Sequence, residues 1–345
     1  MWKNWKYLIA YLAPLAAYAG IYAQGIWSFG SIYIGFLLIP VLEFMLPAST
    51  DNFEGEEEGQ RATSLFFDVL LYLNIPILYG LIAYYFYTLD TQHLALYEII
   101  GMTFSVGLIV GTIGINVAHE LGHRVTAYEK VMAKILLLPA LYMHFIIEHN
   151  RGHHKKVATP EDPASARYGE PIYMFWWRSV SGSYRNAWAL ENRRLTKAGL
   201  PVLSWSNEML RFTLFQVAYL VVIGLVFNLL MVGFGMAIAI FGFLMLESVN
   251  YIEHYGLQRQ KLASGHYEKV SPRHSWNSNH EVGRIFLYEL TRHSDHHFKA
   301  TRKYQVLRHF GESPQLPFGY PAAILTALIP PLWFSIMNKR VKTFT

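Results

Sequence analysis

The sequence predicts an all-α, multi-pass integral membrane protein with six transmembrane helices and a cytoplasmic, histidine-rich cap, built as a single membrane domain over residues 1–345. Composition is the first reason: 53% of residues are apolar, 15% are charged, and the mean hydropathy is positive. The second is the placement of charge. All 29 Lys and Arg fall outside three stretches, 7–60, 62–123 and 212–258, with Arg61 separating the first two. Each stretch is long enough to cross a ~30 Å hydrocarbon core twice at ~20 residues per helix. Because Lys and Arg concentrate on the cytoplasmic side, each reads as a hairpin that leaves the cytoplasm and returns to it. Third, eight histidines lie in three short boxes: HELGH at His119–His123, EHNRGHH at Glu148–His154 and RHSDHH at Arg292–His297.

Taken in order, the first hairpin gives spans near 7–24 and 26–47, turning at Gln24-Gly25 and stopping at Pro47. The stretch after Met1 has no small-residue cleavage site, so it reads as a span and not as a secretory signal. An acidic loop, Asp51 to Glu58, leads to spans near 65–89 and 95–118, the latter reaching His119 at its cytoplasmic end. Gly107, Gly111 and Gly114 on that span predict a close helix crossing. The apolar stretch 130–147 lies between two boxes that must share one side of the membrane. It is therefore expected to be a re-entrant or interfacial segment bent at Pro139. Residues 155–211 form a polar, basic part of the cap, with Pro160, Pro163, Pro171 and Pro201 implying short helices and loops. The third hairpin, spans 212–231 and 235–254, ends in NYIEHYG with His254 at its inner end. The rest of the cap, 255–320, holds HSWNSNHE at His274–Glu281 and the third box; 321–337, broken by Pro330-Pro331, reads as interfacial.

Cysteine is absent, which excludes disulfides, thiol nucleophiles, zinc-thiolate sites and iron–sulfur clusters. The basic residues are explained by topology, so no nucleic-acid surface is expected. Acidic residues inside spans are costly and mark candidate sites; these are Glu43, Asp68, Glu98 and Glu247, with Glu247 two helical turns from His254.

The boxes read as metal ligands. At ~3.6 residues per turn, His119 and His123 share one helix face, and so do His149 and His153. His154 and His297, each beside another histidine, can turn to a second metal at a helix end. Neutral imidazole suits Zn, Fe, Cu and Ni. A zinc protease built on HELGH, with Glu120 as base, needs one more ligand and leaves the other histidines without a role. A ferritin-like carboxylate site needs two Glu-x-x-His pairs, and only Glu120–His123 matches. A metal transporter would carry ligands in mid-span. A histidine-rich di-metal centre at the cytoplasmic helix ends fits best.

The pattern HxxxH, HxxxHH, HxxHH resembles the integral-membrane desaturase and hydroxylase superfamily. HELGH, EHNRGHH, NYIEHYG, HSWNSNH and RHSDHH, in this order over 119–297, resemble most closely the membrane alkane monooxygenases of the alkane 1-hydroxylase family. That resemblance implies a non-haem di-iron enzyme with two Fe ions and O2 as co-substrate, hydroxylating the terminal carbon of medium-chain alkanes drawn from the lipid bilayer. It implies as ligands His119, His123, His149, His153, His154, His254, His293, His296 and His297. It places the enzyme in the bacterial inner (cytoplasmic) membrane, with the active site on the cytoplasmic side. It names rubredoxin as electron donor, for which Arg151, Lys155, Lys156, Arg193, Arg194, Arg292, Lys299, Arg302 and Lys303 offer a basic dock. A fatty-acyl desaturase or hydroxylase and an aryl-methyl (xylene-type) monooxygenase would share the boxes. Ligand imidazoles usually donate their second N–H to a carboxylate or carbonyl; Glu120, Glu148, Glu253, Asp295 and either Glu281 or Asp162 are expected there. His144, His274 and His280 read as structural. The family places a residue that limits substrate length on the second span, which here is Gly35; Glu247 is expected to face the cavity.

Overall fold

The computed structural model describes residues 2–344, and among them no β-strand forms; three isolated bridges, Ala48 with His280, Lys261 with Tyr267 and Asn277 with Gln315, are the extended pairings present. Five helices are long and apolar enough to cross a membrane: Gly25–Met45, Gly55–Thr91, Leu96–Gly122, Glu208–Val226 and Leu229–His254. A sixth candidate is the pair Tyr320–Ala327 and Pro330–Val341, bent by 119°. The stretch expected as the span 7–24 is a 3-10 segment, Trp2–Tyr11, followed by the α-helix Leu12–Ala23.

The chain divides into two compact units. The first comprises Met1–Leu38, Leu65–Ile146 and Glu191–Leu246. Its opening hairpin reverses at Gln24 and Gly25, both at positive φ (57° and 56°), a conformation that glycine adopts freely and that costs Gln24 strain. Glu98 closes this end: its two carboxylate oxygens accept the Gly25 N–H at 2.6 Å and the Ala95 N–H at 2.7 Å. Its presence at the start of helix Leu96–Ile109 is therefore a capping matter, with negative charge at a helix N-terminus. Small residues set the crossings. Ser31 and Ser105 donate to the carbonyls of Ser105 and Ser28, respectively, at 2.8 and 2.7 Å. A Cβ on Gly107 would meet Phe241 at 2.9 Å and one on Gly111 would meet the Gly242 carbonyl at 3.0 Å, so the expected glycine-mediated approach is made to helix Leu229–His254. In the segment 130–147, helix Ala127–Leu137 stops before Pro139, and the chain turns through Leu141 at φ 51°; proline cannot donate the N–H that the helix would need.

The second unit comprises Ile39–Ser64, Ile147–Leu190 and Glu247–Thr345. Buried arginines hold its irregular segments to one another. Arg292 donates to the Asp51 and Leu307 carbonyls at 2.7 Å each, Arg284 donates to the Ser49 carbonyl at 2.7 Å, and Arg61 and Gln305 exchange side-chain to main-chain bonds at 3.3 and 3.1 Å. Arginine suits such crossings because its planar fork satisfies several acceptors at once.

One expectation needs correction. The segment 155–211 is not a set of short helices, because Ile172–Lys197 forms a single helix of 26 residues. Its buried stripe, Ile172, Phe175, Ser179, Ser183, Ala187, Glu191 and Leu195, has helical period. Pro171 and Pro201 flank this helix and none of the four prolines interrupts it.

Gly242 supplies a test of the crossing. A Cβ there would meet Val110 Cγ1 at 2.7 Å and the Gly107 carbonyl at 3.3 Å. Gly242→Leu should destabilise the protein by about 1–3 kcal/mol through overpacking, seen as a lower thermal midpoint of the purified protein; an unchanged midpoint would refute the close approach.

Candidate metal centre

Box one belongs to the first unit. A π-helical turn, Val110–Ile115, leads into the α-helix Asn116–Gly122, every residue of which is buried. π-Turns are rare and are frequently found at functional sites. His119 and His123, one turn apart, set their rings 5.1 Å apart and perpendicular. Glu120, about 100° further round the helix, faces away from them to Arg124, whose Nε donates to its Oε1 at 3.0 Å.

Boxes two and three and His254 belong to the second unit and form two groups. In one, His149, His154 and His296 bring ring nitrogens together, with His154 Nε2 2.9 Å from His149 Nε2 and 3.1 Å from His296 Nε2. In the other, His153, His254, His293 and His297 converge, with His293 Nε2 3.2 Å from His254 Nε2 and 2.9 Å from His297 Nε2. His149 and His153 stay neighbours as expected, their rings 5.2 Å apart, although their ring nitrogens fall in different groups. Residues His149–His153 form a π-turn, from which His149 faces His154, rings 4.5 Å apart, while His153 faces His254 and His297, rings 4.9 and 4.8 Å apart.

Side chains far from the boxes set these rings. The third box rides on the short helix His293–Phe298, which is fixed by Asn277: its Oδ1 accepts the Ser294 N–H at 2.8 Å and its Nδ2 donates to Ser294 Oγ at 2.6 Å. Trp276, fully buried, donates its Nε1–H to the Tyr255 carbonyl at 2.9 Å, anchoring HSWNSNHE beside the end of helix Leu229–His254. In box two, a Cβ on Gly152 would meet Glu148 Oε1 at 2.6 Å and Asn186 Nδ2 at 2.7 Å, so only glycine lets the Asn186–Glu148 hydrogen bond, 3.0 Å, form against the turn.

The donor set fits a metal. A neutral imidazole has one N–H and one lone pair. His293 Nε2 nevertheless faces His254 Nε2, His297 Nε2 and, at 3.2 Å, Glu253 Oε2. One hydrogen cannot serve three neighbours, whereas one cation among them can. Metal–nitrogen bonds of ~2.0–2.1 Å at octahedral to tetrahedral angles put neighbouring nitrogens about 2.8–3.4 Å apart, the range of the separations seen. His153 is poised likewise: its Nδ1 lies 2.8 Å from Asp162 Oδ2, and its Nε2 is buried with no hydrogen-bond partner. Burial, and after it the surrounding imidazoles, hold His297 well below the usual histidine range, so its ring is neutral and its lone pair available. Burial would raise Asp162, but His153 and Ser165 outweigh it and keep it below the usual carboxylate range, as an anion. Ser165 donates to Asp162 Oδ2 at 2.6 Å.

The expected supporting carboxylates divide. Asp162 holds the His153 ring. Glu253 reaches His293 while its Oε1 accepts the Tyr320 hydroxyl at 2.7 Å. Glu148, pushed up to about 7 chiefly by burial, is bonded to Asn186. Asp295 accepts from Arg302 and from the Arg308 N–H, both at 2.8 Å, tying down the following loop. Glu281 starts helix Glu281–Phe286 and is half-buried. Glu247 is buried and accepts from Asn250 at 3.4 Å. Gly35 lies in the π-turn Ile34–Leu38, where a Cβ would meet Leu108 Cδ2 at 3.1 Å. His274 Nδ1 accepts the Ser271 N–H at 2.9 Å, and His280 occupies the N-cap position of helix Glu281–Phe286 without a side-chain capping bond. Tyr320, Asn186 and Asn277 are not marked by the sequence pattern; nothing in local spacing points to Tyr320, 67 residues from Glu253. Of the nine basic residues expected at a dock, Arg292 is buried in the fold, Arg302 is bound to Asp295 and Arg194 to Glu191, while Lys155, Arg193 and Lys299 are exposed.

Helices suited to a membrane, with buried histidine groups that fit metal ions, define a histidine-box membrane metalloprotein, and residues 96–324 match the fatty acid desaturase family. The chain is 39% identical to an alkane 1-monooxygenase of Pseudomonas putida and to alkane 1-monooxygenase 1 of Alcanivorax borkumensis, each alignment covering 98% of this chain and 85% of the relative. It is 28% identical to the xylene/toluene monooxygenase hydroxylase component of Pseudomonas putida, over 95% of this chain and 87% of that protein. The chain belongs to the alkane 1-monooxygenase family and is a monooxygenase.

Asp162→Asn should weaken metal retention about 10–100-fold, measured by metal content after dialysis against a graded chelator. Retention equal to wild type would show that Asp162 does not orient His153.

Proposed function

We propose that this protein hydroxylates the terminal carbon of medium-chain alkanes to 1-alkanols with O2 at a di-iron centre, taking electrons from rubredoxin on the cytoplasmic side of the bacterial inner membrane. The observation that carries the reading is the convergence of buried imidazole nitrogens at 2.9–3.2 Å in a chain of this family. His153, His254, His293 and His297 would hold one iron, His149, His154 and His296 would serve as ligands of a second, and His119 and His123 contribute a further pair of ligand rings. When bound, the iron pair supplies the reductive activation of O2.

The chain's own residues do the rest. Asp162 keeps the proton on His153 Nδ1 and leaves Nε2 for the metal. Tyr320 keeps Glu253 in place by donating to Oε1, so that Oε2 stays beside His293. Inserting one oxygen atom and reducing the other to water takes two electrons, and a chain without cysteine holds no iron–sulfur carrier of its own. Exposed Lys155, Arg193 and Lys299 support an acidic donor approaching by charge complementarity. The Lys and Arg pattern supports the cytoplasmic placement.

A methyl-arene substrate is the second reading, favoured by the xylene/toluene relative at its lower identity. Purified protein with rubredoxin and its reductase, offered octane, xylene and oleoyl lipid in parallel, should give 1-octanol as the main product and contain two irons per chain. Preferred oxidation of xylene, or desaturation of the lipid, would overturn the assignment. Turnover should fall steeply with ionic strength while iron content stays fixed; salt-independent turnover would refute electrostatic docking. Gly35→Trp, which fills the notch beside Leu108, should shift the product profile to shorter alkanols, and an unchanged profile would remove Gly35 from the channel.

A further inference from the structure

Immediately after box one, the chain carries a buried ionic cluster that the chemistry above does not use. Arg124 is 6% exposed. Its Nε and Nη2 both reach Glu120 Oε1, at 3.0 and 2.9 Å, and its Nη1 reaches Asp68 Oδ1 at 3.0 Å and Glu129 Oε1 at 3.9 Å. Glu129 is held in turn by the Tyr72 hydroxyl at 2.9 Å and by the Thr126 hydroxyl. These groups come from three helices: Asp68 from Leu65–Tyr72, Glu120 from Asn116–Gly122 and Glu129 from Ala127–Leu137. All lie within the first unit.

The helix carrying His119 ends at Gly122, and His123 occupies its C-cap position at φ −87°. A last helical turn frays most readily, and here that turn carries one of the two imidazoles. Arg124, two residues past the helix end at Gly122, reaches back to Glu120, whose face of the turn lies about 100° from that of His119. Fixing one face fixes the rotation of the other. A planar guanidinium bound to two carboxylates on different helices resists rotation as well as translation, which a lysine point charge does not. Three carboxylates around one buried cation also make the cluster costly to break, because removing one partner of a buried ion pair is strongly destabilising.

We propose that Arg124 is a positioning residue for the His119–His123 pair, setting the rotation of the helix end through Glu120 and Asp68 so that both rings present nitrogen to one metal. This rests on the reading of His119 and His123 as ligands, and the test separates the two. Iron per chain is measured in purified holoenzyme for Arg124→Gln, Arg124→Lys, Asp68→Asn and His119→Ala, with thermal midpoints recorded for each. Arg124→Gln should lose about half of the iron through a metal affinity about 10–100-fold weaker at this pair, keeping the iron held by His153, His254, His293 and His297. Arg124→Lys should retain more iron than Arg124→Gln, and Asp68→Asn, which leaves the Glu120 contact, should fall between wild type and Arg124→Gln. His119→Ala should lose the same half. Loss of both irons together with the fold in Arg124→Gln and Asp68→Asn would make Arg124 a general brace and overturn the proposal, as would full iron in Arg124→Gln beside half-loss in His119→Ala. Full iron in His119→Ala would instead overturn the ligand reading beneath it. If Arg124→Gln does not accumulate, Asp68→Asn decides, and full iron in that variant overturns the proposal.

Discussion

Buried imidazoles whose nitrogens face one another cannot satisfy themselves. Each neutral ring offers one proton and one lone pair, and His293 Nε2 has two other ring nitrogens and a carboxylate oxygen within 3.2 Å. Leaving such groups dry and unmatched costs roughly 1–3 kcal/mol apiece. A shared cation removes that cost and turns crowding into coordination. Much of the second unit serves this convergence: the π-turn that carries His149 and His153, the Asn277 side chain that grips the third box, and the Gly152 backbone on which the Asn186–Glu148 bond rests.

The membrane and the site make opposite demands on the same helices. Leu229–His254 is the most apolar of the candidate spans, yet it ends in Glu247, Asn250, Glu253 and His254, all buried. Polar groups at this depth must find protein partners. Glu253 finds Tyr320, and Asn250 reaches Glu247. Glu98 meets the same demand at the far end of helix Leu96–Ile109 by taking two backbone N–H groups. Its carboxylate is accounted for by a turn, which is why charge inside a span does not by itself mark a reaction site.

The sequence made the helical class, the apolar stretches and the histidine boxes plain, because hydropathy runs and short ligand spacings are local signals. HELGH gave its pair correctly, since His119 and His123 sit on a true α-turn. The spacing of His149 and His153 predicted their proximity but not the separate groups that their nitrogens join, and no residue type announces the π-turn on which they lie. Four prolines in 155–211 suggested breaks, but their positions just outside Ile172–Lys197 left a long helix intact. Asp162 was readable as one candidate among several. Tyr320, Asn186 and Asn277 were not, because their contacts join segments distant in sequence.

The central claim is that two irons sit among these rings. The most direct measurement is a crystal structure of the protein purified from its native membrane, with anomalous data collected on both sides of the iron and zinc absorption edges. The account predicts two iron peaks, one among His153, His254, His293 and His297 and one bounded by His149, His154 and His296. A single zinc peak, or histidine nitrogens turned away from any common centre, would contradict it.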